Sequence, residues 1–225
     1  MEMALNIILF AIMLIFDFVY IFTEELLFKI ITSSLFISLG LINFTQCIKN
    51  KKDLKFPICM LTALIYAMIG DVLLEVNLDI GVIAFAVAQI FYCTSYSKLN
   101  TFVRRDFLYS FIISITTLIS IVFILREVIF NDISMFILGS MYIIILSSML
   151  GKSISNVIRE HSSVNIVIVI GAILFFISDM CLILNMYVGL SFFRYICLIT
   201  YYLAQFLLAF SLLKFSDLEE NLYEI

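Results

Sequence analysis

The chain has 225 residues, of which 64% are hydrophobic and 13% charged, with one proline and a formal net charge of −4. A soluble domain draws about a quarter of its residues from Asp, Glu, Lys and Arg, so a water-soluble globule is excluded; so is a nucleic-acid binder, whose basic surface these few cations cannot supply. Apolar runs of about 18 residues or more, the length that crosses a bilayer as helix, recur along the whole chain.

In chain order the runs cover residues 5–22, 30–48, 56–76, 80–97, 107–125, 133–150, 164–188 and 192–213. They predict an all-α fold: a polytopic membrane helix bundle of about eight transmembrane helices, one transmembrane domain over 1–225. The first run has no basic residue before it and no small-residue cleavage site after it, so it reads as a span and not as a signal peptide. The joints are short and hold most of the charge. Lys49, Lys51, Lys52 and Lys55 follow the second run, Lys98, Arg104 and Arg105 the fourth, Lys152 and Arg159 the sixth, and Lys214 the eighth. The opposite joints hold Lys29, Arg126 and Arg194. Basic residues gather at cytoplasmic span ends, so both termini are predicted to be cytoplasmic, in a cell membrane. The cysteines (Cys47, Cys59, Cys93, Cys181, Cys197) fall in or beside the runs without paired spacing and read as small packing residues.

Runs three and seven carry the residues that least suit hydrocarbon. Asp71 lies fifteen residues beyond Phe56, and Asp179 fifteen beyond Val164. At about 1.5 Å per residue both sit roughly 22 Å into a core of about 30 Å, at one depth in the outer half. Glu75 lies one turn beyond Asp71 on the same face. A carboxylate facing lipid at that depth is disfavoured by about 2.5–3.5 kcal/mol on the gentlest scale, so such groups turn into the bundle. Small residues, Gly70 and Ser178, precede the two aspartates and admit a close neighbour. Other polar side chains fall within reach: Lys29 at the outer start of run two, Asp17 in run one, Gln89 and Tyr92 in run four, and Tyr201, Tyr202 and Gln205 in run eight. Each tyrosine by itself also suits interface anchoring or helix–helix bonding.

A faint echo links "YAMIGDVLLEVN" (66–77) to "LFFISDMCLILN" (174–185), and "AVAQIFY" (86–92) to "YLAQFLL" (202–208). It predicts two weakly similar four-helix halves, 1–103 and 104–225, in parallel orientation.

Several chemistries fall away. His161 is the single histidine, in a basic joint, so a His-rich zinc site cannot be built and no metal or cofactor is expected. Gly-rich phosphate loops and a Gly-x-Ser-x-Gly elbow are absent from the sequence. What remains is a pair of buried acids. One can keep its proton and act as general acid while its partner stays charged, a division suited to reactions through an oxocarbenium ion. Proton-coupled transporters place carboxylates in the same way, so a transporter or a non-catalytic lipid-binding protein stands as the alternative.

Gly70-Asp71-Val72-Leu73-Leu74, then Gly81, Ala84, Phe85, Gln89 and Tyr92, then Gly171, Ala172, Phe175, Ser178 and Asp179, then Tyr201, Tyr202, Ala204 and Gln205 follow one another in an order that resembles the YhhN-like lysoplasmalogenases. Lys29 fits the lysine that this family places at the start of its second span. The resemblance implies an integral-membrane hydrolase that cleaves the vinyl ether bond of a lysophospholipid substrate, a lysoplasmalogen, to a fatty aldehyde and a glycerophospho-ethanolamine or -choline. It implies Asp71 and Asp179 as catalytic residues, with Lys29, Glu75, Gln89, Tyr92, Tyr201, Tyr202 and Gln205 binding substrate. Asp179 is the preferred acid, because its segment has no second carboxylate one turn away. The pattern departs at Gln89, where the family carries histidine; glutamine bonds to hydrogen but carries no proton at neutral pH.

Overall fold

A computed structural model describes residues 2–50, 53–124 and 133–223, with side chains at 134, 135 and 219–223 left aside. Lys51, Lys52, Leu125 and Arg126, which entered the expectations above, lie outside the described residues. Among those described, eight helices are long and apolar enough to cross a membrane, as composition demands, and no strand occurs. They are α1 (Glu2–Thr23), α2 (Leu26–Lys49), α3 (Lys55–Val76), α4 (Leu78–Leu99), α5 (Arg104–Ile124), α6 (Ile133–Arg159), α7 (Ser163–Val188) and α8 (Ser191–Tyr223).

Long apolar segments become helices in hydrocarbon because each backbone N–H and C=O must be satisfied within its own segment. The one proline, Pro57, falls in the first turn of α3, where its missing N–H breaks no helical bond. Asn77 caps α4 by accepting from the Ile80 N–H at 3.1 Å, and Ser162 caps α7 by accepting from the Asn165 N–H at 3.2 Å. Two helices run well past their expected ends. α6 continues to Arg159 and α8 to Tyr223; in α6 the polar residues that look like a joint in the sequence, Lys152, Ser153 and Asn156, lie inside the bundle. Lys152 is the clearest correction. It is not a joint residue but a fully buried one, its Nζ 2.8 Å from Asp106 of α5.

The helices close into a ring, α2–α3–α4–α6–α7–α8, with α8 packing back onto α2 and also touching α3. α1 lies outside the ring against α2 and α8, and α5 lies outside it against α6. The α3–α4 and α7–α8 hairpins are the most extensively packed pairs. Isoleucine and phenylalanine side chains such as Ile15, Phe18, Phe111 and Ile119 cover the outside. That is the surface a helix presents to lipid. The ring interior is where the polar side chains collect.

Candidate active site

Asp71 is held from two neighbouring helices. It is buried on α3, and its Oδ2 accepts from Ser33 Oγ of α2 at 2.5 Å and from the Tyr201 hydroxyl of α8 at 2.9 Å. Tyr202 brings its own hydroxyl to 3.4 Å from Ser33 Oγ. The residue before it has to be glycine: a Cβ on Gly70 would stand 2.7 Å from the ring of Phe85 on α4. That ring packs edge-on against Tyr201 and Phe175, with centroids 5.9 and 6.3 Å away.

One turn further out, Glu75 Oε1 accepts from Lys29 Nζ at 2.6 Å and from the Tyr20 hydroxyl at 2.8 Å. Lys29 is buried, whereas the Glu75 side chain is 39% exposed, so this ion pair forms the half-open outer rim of the Asp71 site. Arg194 adds a second cation there, 5.9 Å from the centre of the Tyr20 ring and paired with Glu24. Asp17 of α1 is a second buried carboxyl in this region, and its Oδ1 has no hydrogen-bond partner.

Asp179 is buried on α7. Its Oδ2 accepts from the Tyr142 hydroxyl of α6 at 2.5 Å. Ser178, beside it, donates to the Cys197 carbonyl at 2.9 Å and draws α8 against α7. Asp179 and Tyr142 form part of the wall of an apolar cavity of about 120 Å³ among α3, α4, α5, α6 and α7. Phe85 belongs to the same lining and Asp71 does not. Phe85 thus adjoins both sites, packing against the Tyr201 that holds Asp71 and lining the cavity that Asp179 lines.

The remaining expected residues lie inside the ring. Tyr92 donates to Gln205 Oε1 at 2.7 Å, which leaves Gln205 Nε2 without a partner. Gln89 is fully buried beside Tyr142, yet neither of its amide atoms makes a well-formed hydrogen bond. A buried polar atom left unpaired costs about 1–3 kcal/mol, so such atoms mark places where another polar group binds. Lys29, Glu75, Tyr201 and Tyr202 thus surround Asp71, while Gln89 accompanies Asp179. Sequence reasoning passed over Ser33, Tyr142 and Tyr20 as site residues, and it quoted Phe85 only as part of a motif. Serine and tyrosine are ordinary in membrane helices, so nothing marked these before their neighbours were known.

The model of the YhhN family matches residues 24–212. The chain belongs to the YhhN family. Among curated proteins and solved structures, nothing matches it. The YhhN match takes in both aspartates and every residue named around Asp179. Asp17 and Tyr20 precede it, so α1 brings its carboxyl and its phenol to the YhhN segment from outside the matched residues.

Proposed function

We propose that this YhhN protein is a membrane-embedded hydrolase that cleaves the vinyl ether bond of lysoplasmalogens, with Asp179 and Asp71 as its acid–base pair. The observation that supports this most is the setting of Asp179: a buried carboxyl on the wall of an apolar cavity, held there by the Tyr142 hydroxyl.

In this reading Asp179 starts protonated and gives its proton to the β-carbon of the R–O–CH=CH–R′ unit. The double bond's electron pair forms the new C–H bond, and the ether oxygen's lone pair closes onto the α-carbon as an oxocarbenium ion. The Asp71 carboxylate, oriented by Ser33 and Tyr201, stabilises that cation and takes a proton from the water that adds to the α-carbon. The hemiacetal then collapses. Its hydroxyl proton returns to Asp179, the glycerol oxygen leaves with the proton held by Asp71, and the aldehyde is released with both acids restored. Lys29 and Arg194, at the outer rim, offer positive charge to a lipid phosphate, and Glu75 offers negative charge to an ammonium headgroup. Gln89 and Gln205 Nε2 supply hydrogen bonds to water or to the glycerol hydroxyl.

The test is aldehyde release from a lysoplasmalogen by the purified protein, compared with Asp71→Asn and Asp179→Asn. General acid–base catalysis contributes about 10²–10⁴-fold, so each folded variant is expected to lose at least about a hundredfold. Near-normal rates in either would remove the mechanism. Proton-driven uptake of a solute into vesicles, with no aldehyde from any vinyl ether, would favour a transporter instead.

A further inference from the structure

The hollow beside Asp179 continues beyond what acid chemistry needs. A second hollow of about 290 Å³, set between α5 and α7, adjoins it and shares the wall residues Ile121 and Ile183. α5 packs along α6 and has no comparable packing against α7 among the described residues, so this second space opens on the flank of the bundle. Thr116 and Ser120 line it, but their hydroxyls turn back to Ile112 O and Thr116 O of their own helix, both at 2.8 Å. Both hollows are therefore lined mostly by apolar side chains, and Asp179 and Tyr142 belong to the wall of the inner one.

Those features define the occupant. It enters sideways from hydrocarbon, is aliphatic over most of its length, and meets Asp179 with a group that can take a proton or a hydrogen bond. Gly139 adds a dimension. It belongs to the cavity wall, and a Cβ built on it would meet nothing within 4 Å, so the space beside it is open to an occupant.

We infer that the joined hollows among α4, α5, α6 and α7 seat the single hydrocarbon chain of an ether lysophospholipid, admitted between α5 and α7, and that Gly139 sets the chain length accepted. The choice of an ether lipid rests on the vinyl-ether reading; the chain site rests on the cavity, its lateral mouth and the open space at Gly139.

Binding separates the two. Saturated alkyl-ether lysophospholipids lack the vinyl bond, so they report binding without turnover. A series from decyl to octadecyl is to be measured on the purified protein in nanodiscs, by native mass spectrometry and by thermal stabilisation. Wild type is expected to bind longer chains more tightly. Gly139→Phe displaces methylenes from the cavity, and each one displaced weakens binding about fourfold, so its preference shifts to the short members. Ile170→Phe, which adds the same ring on the exposed face of α7, is expected to leave the series unchanged. An unchanged chain profile in folded Gly139→Phe overturns the inference.

Should that variant not fold, wild type decides the matter with an octadecyl lysolipid carrying a photoreactive group at the chain end. Adducts on Thr116, Ile121, Gly139 or Ile183 support the site, and adducts confined to outward-facing residues sink it. A chain seated here with no aldehyde from any vinyl ether would keep the site and dismiss the hydrolase. Aldehyde release with adducts only on the outside would do the reverse.

Discussion

Tyr142 and Ser33 are the hydroxyls that fix the direction of the two carboxyls, each at 2.5 Å. A hydrogen bond to a charged or reacting carboxyl contributes about 1.5–3 kcal/mol, so Tyr142→Phe is expected to lower kcat by about tenfold or more, with KM little changed. Steady-state kinetics on vinyl-ether lysolipid checks this, and a loss confined to KM would assign Tyr142 to binding alone. Gly70 makes a second claim at the same scale. An added methyl drives into the Phe85 ring, and overpacking of this kind costs about 1–3 kcal/mol. Gly70→Ala should therefore lower the thermal midpoint, and Phe85→Leu on that background should lower it by less than the two single changes together, a coupling that a double-mutant cycle resolves. Asp71 and Asp179 were legible in the sequence because a carboxyl in an apolar run is dear. Ser33 and Tyr142 were not, since their roles exist only once α2 faces α3 and α6 faces α7.

α5 and α6 pose a question of attachment. α5 buries little besides Asp106 and Ser114, and it approaches α6 so closely at Gly151 that a Cβ there would lie 2.5 Å from the Ser110 nitrogen. The Asp106–Lys152 pair locks the same contact: Lys152 also donates to the Thr101 carbonyl at 3.2 Å, and Asp106 accepts from the Val103 N–H at 3.0 Å. Removing one partner strands a buried charge, at about 3–5 kcal/mol. Lys152→Met should therefore destabilise the purified protein strongly, and Lys152→Met with Asp106→Leu should recover much of the loss in a thermal-unfolding comparison; equal instability of both variants would show that the charges do not depend on each other. The reading of run six as ending at 150 failed for a physical reason. Hydropathy registers how a residue suits lipid, and Lys152, Ser153 and Asn156 face protein, so a continuing helix looked like a joint.

The charge pattern of the whole molecule separates its two ends. Lys49, Lys55, Lys98, Arg104, Arg105, Arg159 and Lys214 belong to one, while Lys29 and Arg194 belong to the other and are paired there with Glu75 and Glu24. Lys152, now buried, drops out of the tally without changing its sense. The positive-inside rule predicts that the Asp71 rim faces outward and both termini inward, so a reporter fused at the C-terminus should be protected from external protease in intact cells. Digestion from outside would invert the bundle and turn the Lys29–Glu75 rim toward the cytoplasm. The helix count came from run length, which a bilayer fixes. Ring order did not, because every apolar face suits every other until shape decides among them. That order leaves α1 and α5 outside the ring.

Phe85 touches both neighbourhoods. Its ring packs edge-on against Tyr201, which holds Asp71, and it lines the cavity whose wall includes Asp179. A substitution at this one position of α4 therefore alters the surroundings of both acids at once, which no change at either aspartate alone can do.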